Sequence, residues 1–188
     1  MKITILSCSL AEDSKSRRLA EEAAKFLAAR QVESRLVDCR SLSLPDFDHG
    51  ACYDSPAVRQ LTADLAWADG IVIAMPIYNW GGNSVAKKIV EVTGADDTGR
   101  KVRAWEDKVV TFLCAAGLAQ SYMAFLPLAN GLMLDFKCII NPHMVFAVGE
   151  NFDAQDRLDQ EAAGRLERAL SVAVELTEGL KDRTIRSG

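Results

Sequence analysis

The chain lacks any apolar run long enough to cross a bilayer, any C-x-x-C pair, any basic run and either of the common glycine-rich nucleotide motifs. Each absence removes a class of function. A membrane-spanning helix needs about 20 consecutive apolar residues. Met1-Lys2 leads directly into Ile3-Thr4-Ile5-Leu6, which reads as a first strand rather than a signal peptide. The cysteines, five in all, are scattered at Cys8, Cys39, Cys52, Cys114 and Cys138. An odd, unpaired set suits a reducing cytoplasm better than a disulfide framework or a zinc site. The two histidines, His49 and His143, are far apart and lack metal-ligand spacing, so no metal is expected. A net charge of −4 without a basic run argues against nucleic acid as a partner. No G-x-G-x-x-G follows the first strand and no G-x-x-x-x-G-K-[ST] occurs, which excludes a dinucleotide-binding Rossmann turn and a P-loop.

What is present is an alternation of short apolar runs and amphipathic segments. Lys2–Ser7, Glu33–Asp38, Gly70–Met75 and Lys108–Ala115 read as strands. Lys137–Ile140 and Met144–Val148 form a last strand, or two pieces of one broken at Asn141-Pro142. Gly70–Met75 is apolar almost throughout, the mark of a strand covered on both faces. Helical spacing is expected over Ser14–Arg30, Ser55–Ala68, Ser84–Thr93 and Gln120–Leu134, the last despite Pro127. Ser55-Pro56 reads as an N-cap followed by proline at the first helical position. Asp153 is the expected cap of a final helix running from Ala154 to Lys181. Its apolar face suits either its own sheet or a second subunit. Gly94–Asp107, with Trp105, is expected as a polar connection at a substrate opening or subunit contact. At 188 residues the chain is expected to form one domain, residues 1–188. The strand–helix alternation predicts a parallel sheet with helices on both faces and right-handed crossovers. Ligands of such sheets bind beyond the carboxyl ends of the strands, where strand order reverses.

The loops at that edge carry the candidate site. After strand one, Ser9, Ser14, Lys15 and Ser16 precede or open a helix. Hydroxyls, free first-turn N–H groups and the helix dipole together suit a phosphate dianion. Ser14 is equally placed to be a plain helix cap. Glu12 and Asp13 would repel a phosphate and are expected to point to solvent. After strand three, Pro76, Ile77, Tyr78, Asn79 and Trp80 lead into Gly81-Gly82. Proline stiffens this loop, the aromatics offer faces for a flat ring, and the glycines permit a sharp turn or close backbone approach. Tyr78 and Trp80 are equally consistent with packing or a subunit contact. After strand four, Ala115, Ala116 and Gly117 leave room for a ring. A flat ring plus a phosphate monoester is the outline of FMN. Cys8 and Cys114 fall near the same edge and are expected to be small buried residues rather than reactive thiols.

These loops resemble those of the NADPH-dependent FMN reductase family of flavodoxin-like proteins over nearly the whole length. The family's first loop runs Gly-Ser-x-Arg-x-x-Ser-x-Ser/Asn, matched here by Cys8-Ser9-Leu10-Ala11-Glu12-Asp13-Ser14-Lys15-Ser16. Cys8 and Ala11 depart from its Gly and Arg. Its Pro-x-Tyr-Asn, followed by glycines and a lysine-bearing helix, is matched by Pro76, Tyr78, Asn79, Gly81, Gly82 and Lys87. The resemblance implies an α/β flavodoxin-like, three-layer, doubly wound sheet of five parallel strands in the order 2-1-3-4-5. It implies bound FMN, reduction by NADPH or NADH, and a homodimer or homotetramer with the flavin near the subunit boundary. The expected activity is hydride transfer from nicotinamide to flavin N5 and then to a small acceptor: a flavin, quinone, azo compound or metal ion. The cofactor carries the chemistry, so no general acid or base is expected. The alternative is a flavodoxin-type electron carrier without enzymatic activity. A phosphoacceptor receiver is disfavoured, because strand three ends in Met75-Pro76 where such a module needs a carboxylate.

Overall fold

A computed structural model of the chain describes residues 1–48, 50–95 and 104–183. The strands are β1 (Lys2–Ser7), β2 (Glu33–Asp38), β3 (Gly70–Tyr78), β4 (Gly81–Gly82), β5 (Val109–Ala116), β6 (Ile139–Ile140) and β7 (Val145–Val148). The helices are α1 (Lys15–Ala29), α2 (Pro56–Trp67), α3 (Ser84–Thr93), α4 (Leu126–Phe136) and α5 (Gln160–Leu180). Strands β2, β1, β3 and β5 lie side by side in that order, all parallel. Beyond β5, β6 pairs its start and β7 its end. They are the two halves of one edge strand interrupted at Asn141-Pro142. With that pair counted as one strand and the short β4 set aside, the order is the flavodoxin-like 2-1-3-4-5.

The strands alternate their side chains between two cores. Ile71, Ile73 and Met75 of β3 face one way and pack with Phe112, Leu61 and Leu132. Val72 and Ala74 face the other way, against Leu19, Ala23 and Leu27 of α1 and Leu166 and Leu170 of α5. A buried side chain of this size contributes about 1.5–3 kcal/mol, so one strand buried on both sides anchors both layers. The close fit of α5 depends on Gly70. A Cβ there would lie 2.6 Å from Thr177 Oγ1.

The first two strands fall where their patterns place them, and the corrections lie elsewhere. β3 continues past Pro76 to Tyr78. Proline has no N–H to donate, but Pro76 lies beyond the last β1 pair, Ser7 with Ala74. There its carbonyl accepts from Asn83 N at 3.2 Å. Helix α4 begins only at Leu126, with Pro127 in its first turn, and a short 3-10 turn, Ala119–Ser121, replaces the expected start. Proline suits a first turn, whose N–H groups lack acceptors in any case. Ser55 precedes α2 but its side chain makes no capping bond. Asp153 closes a turn with Arg157 instead. The α5 cap is Asp159, which accepts from Ala162 N at 2.7 Å. The buried face of α5, Ala162 to Thr177, packs on its own sheet. Trp105 is wholly buried, its indole N–H donating to Thr93 Oγ1 at 2.8 Å. It is a core residue rather than part of an opening. The rest of the expected 94–107 connection, residues 96–103, and His49 lie outside the described residues.

Candidate active site

Strand order reverses between β1 and β3, so a crevice opens beyond their carboxyl ends. The crevice has a volume of about 730 Å³, within the range of small-molecule sites. Its wall is drawn from the loops after β1, β3 and β5. Ser9, Ser14, Lys15, Ser16, Pro76, Ile77, Tyr78, Asn79, Trp80, Ala115, Ala116 and Gly117 all line it. Residues 76–80 and 115–117 meet because β3 and β5 run in register, Pro76 beside Ala115 and Ile77 beside Ala116. A second hollow of about 350 Å³ lies between α3 and α4. It is mostly apolar and lacks the serine-rich loop, so the larger crevice is the better site for a phosphorylated ligand.

The loop after β1 is held from beneath. Arg17, on the first turn of α1, sends Nη1 to the carbonyls of Ala11 (3.3 Å) and Glu12 (3.2 Å). Its Nη2 reaches the Ser9 carbonyl (3.4 Å) and Asp38 Oδ1 (3.1 Å). The guanidinium therefore collects the loop's carbonyls. It braces the loop and is not a free cation facing the crevice. Ser14 does cap α1, accepting from Arg17 N at 3.2 Å, and its hydroxyl also meets that of Ser16 at 3.0 Å. Ser9 Oγ accepts from Ala11 N at 3.2 Å and keeps its own hydrogen for a ligand. The amides of Lys15 and Ser16 open the helix and have no acceptor within it. Glu12 points out to an ion pair with Arg40. Asp13, in contrast, stays on the crevice wall. The Lys15 ammonium leans over the Phe152 ring, 5.3 Å from its centre, at the mouth near Gly149.

The opposite wall is a hairpin. β3 turns back on β4 with Ile77 facing Gly82 and Tyr78 facing Gly81. The two turn residues, Asn79 (φ 49°) and Trp80 (φ 65°), are both left-handed, as a type I′ turn requires. The glycines expected at the bend are instead the return strand. Gly82 lets the return strand lie close over Met75, whose Sδ a Cβ there would meet at 3.0 Å. Trp80 holds the position that glycine usually takes, at a cost of about 1–2 kcal/mol. The residue is 62% exposed. Asn83 joins the two walls, its Nδ2 donating to the Cys8 carbonyl at 2.7 Å.

Cys8 and Cys114 are fully buried beneath this floor. The neighbouring Cys39 thiol and burial hold the Cys8 pKa well above its ordinary value. Burial pushes Cys114 up to about 12. Both stay protonated and inert at neutral pH. Among the described residues, no group of three His, Cys, Asp or Glu side chains could hold a metal ion. No described helix is long and apolar enough to cross a membrane.

The donor set fits a phosphate monoester joined to a flat ring. Hydroxyls and helix-opening amides lie at one end. Small residues and a rigid hairpin lie at the other, and a Cβ at Gly117 would meet nothing within 4 Å. Several participants were not foreseen from the sequence: Arg17 as a brace, Asn83 as a clasp, and Ser121 and Gly149 as further wall residues. Gly149 follows β7, and applying the carboxyl-end rule to the last strand would have found it.

The crevice can be set beside known proteins. The family model described as NADPH-dependent FMN reductase matches residues 1–153. The chain is 29% identical over 159 residues to NADPH-dependent FMN reductase ArsH of Shigella flexneri, covering 84% of this chain and 61% of that protein. It is 27% identical over 124 residues to FMN reductase (NADPH) of Escherichia coli K12, covering 66% and 61%. The matches thus span less than two thirds of either relative's length. Among solved structures, FerB, a flavoenzyme NAD(P)H:(acceptor) oxidoreductase from Paracoccus denitrificans, superposes with a TM-score of 0.76. The match covers 95% of this chain and 98% of FerB at 19% identity, which establishes a common fold.

Proposed function

The chain belongs to the NADPH-dependent FMN reductase family, and on that premise we propose that it is an FMN-dependent NAD(P)H oxidoreductase delivering electrons to a small acceptor. The observation that carries the proposal is the single crevice that joins a serine-lined helix start to a proline-stiffened hairpin. Ser9, Ser16 and the opening amides of α1 hold the phosphate, with Ser14 fixing their geometry and Lys15 adding charge at the mouth. Pro76 to Trp80 and Ala115 to Gly117 flank the ring. FMN held there would supply the redox chemistry, hydride acceptance from a nicotinamide and onward electron delivery. The protein's part is to bind, orient and shield. The hairpin is fixed at both ends, by its β3 pairing and by Asn83, so the ring-binding wall needs no ordering when ligand arrives. No side chain is assigned as general acid or base. The whole chain acts as one domain, and a homodimer or homotetramer in the cytoplasm is part of the proposal. Exposed Met133 and Leu134 on α4 support self-association, and five buried free cysteines support a reducing compartment.

Anaerobic mixing of the FMN-loaded protein with NADPH or NADH tests the reading. Rapid loss of flavin absorbance near the visible maximum is the expected result. Flavin that stays oxidised with both nucleotides refutes the reductase and leaves the flavodoxin-type carrier.

A further inference from the structure

We propose that Trp80 is a specificity-determining residue, held in a left-handed turn position so that its ring stacks a planar aromatic electron acceptor at the crevice mouth. The inference rests on the oxidoreductase reading and names the acceptor class for that same site. Three observations carry it. Trp80 has φ 65°, a conformation unfavourable for any residue with a Cβ and best suited to glycine. The neighbouring sequence could supply glycine, since Gly81 and Gly82 follow directly. A strained residue persists only where its surroundings or its function over-determine it.

The second observation is that the fold does not use the ring. Trp80 is 62% exposed and belongs to no hydrophobic core cluster, and it has no ring or cation contact among the described residues. Trp105 and Trp67 differ: one is wholly buried and the other lies against Arg35 at 4.0 Å. The third is the company Trp80 keeps. Tyr78 lies two residues before it on the hairpin, and Leu118, from the loop after β5, lines the same crevice. Both are exposed. Lys15 is the one cation and Asp13 the one carboxylate among the crevice-lining residues described. Such a mouth gives little to a compact ionic acceptor. It offers apolar area and an aromatic face to an uncharged planar one.

The test compares the full-length protein with Trp80→Gly and Trp80→Phe, each at saturating FMN. Glycine removes both ring and strain, whereas phenylalanine keeps both. Menadione serves as the planar uncharged acceptor and ferricyanide as the compact charged one. In Trp80→Gly, the ratio of kcat/KM for menadione to that for ferricyanide falls at least about tenfold, mainly through the menadione KM. Trp80→Phe retains most of it. The Trp80→Gly protein also melts about 2–4 °C higher, because strain is gone. A packing residue would do the opposite. A ratio that moves less than about threefold overturns the proposal. So does a lower melting midpoint, or a smaller assembly in light scattering, which would make Trp80 an interface residue. Titration of menadione onto the protein without nucleotide supplies a readout independent of turnover. Saturable quenching of tryptophan fluorescence that Trp80→Gly abolishes supports the assignment, and quenching that survives refutes it. If the wild type reduces neither acceptor, the oxidoreductase reading fails, and this titration alone decides the role of Trp80.

Discussion

Replacing Arg17 with alanine should separate the phosphate loop's shape from its chemistry. The side chain makes contacts of 3.1–3.4 Å with three loop carbonyls and with Asp38. None is short, and Asp38 is 40% exposed, so the ion pair itself contributes about 0.5 kcal/mol after screening. The carbonyl bonds contribute about 0.5–1 kcal/mol each. The carbonyls can rehydrate when the guanidinium is gone. The net loss of stability is therefore about 2–3.5 kcal/mol, not the sum of four strong bonds. The effect on binding has a different origin. Without the brace, Ser9 to Asp13 must be ordered by the ligand. Fixing one or two backbone residues costs about 1–3 kcal/mol, which is roughly a ten- to hundredfold loss of FMN affinity. Riboflavin lacks the phosphate and should bind the variant almost as it binds the wild type. Fluorescence titration with both flavins reads the ratio directly. An FMN affinity within about threefold of wild type, in a protein that is measurably destabilised, would show that the loop needs no brace to bind phosphate and leave Arg17 a structural residue only. Arg17→Lys should rescue little, since a single ammonium cannot span both edges of the loop.

Two further outcomes follow from the core. Gly70→Ala should cost about 2 kcal/mol, because its Cβ would meet Thr177 Oγ1 at 2.6 Å. Thr177→Ala in the same chain should restore most of that loss, and additive effects in the double-mutant cycle would show that the contact is not the cause. The second concerns alkaline pH. Burial raises Cys114 from 9.0 to about 12. Its contribution is fully present below the unfolded pKa and is lost as pH climbs towards the folded one, at up to about 1.4 kcal/mol per pH unit. Burial lowers the pKa of Lys108, which acts in the opposite sense, so the comparison is with Cys114→Ala. Between pH 9 and 11 the urea midpoint of that variant should fall less steeply than that of the wild type, and parallel curves would refute the assignment.

The sequence made the layered fold legible because its signals are local and redundant. Continuous apolar runs at Gly70–Met75 and Lys108–Ala115 and helical spacing over Ser14–Arg30 leave few alternatives, and the carboxyl-end rule then brings distant loops into one crevice. What escaped was set by context. Pro76 looked like a strand end because it lacks an N–H, yet that loss counts only on the side facing β1, which stops before it, while β5 pairs on beside it. Asp153 and Asp159 are equally good caps as residues. The choice depended on a turn that Asp153 closes with Arg157. Trp105 was expected at a substrate opening or subunit contact because polar residues surround it in sequence, yet Thr93 supplies a buried acceptor for its indole. The type I′ turn hid because tryptophan occupies a position at which sequence rules look for glycine. No one-dimensional signal shows that the Arg17 guanidinium will face carbonyls rather than a phosphate.

On the proposed reading one crevice receives FMN, phosphate against Ser9, Ser16 and the α1 amides and ring against the 76–80 hairpin. A crystal structure of the protein soaked with FMN tests it most directly. The expected result is phosphate density within hydrogen-bond distance of the Ser9 and Ser16 hydroxyls and the opening amides of α1, with the ring between Pro76–Trp80 and Ala115–Gly117. Flavin density in the hollow between α3 and α4, or a phosphate held away from the serine loop, would contradict it.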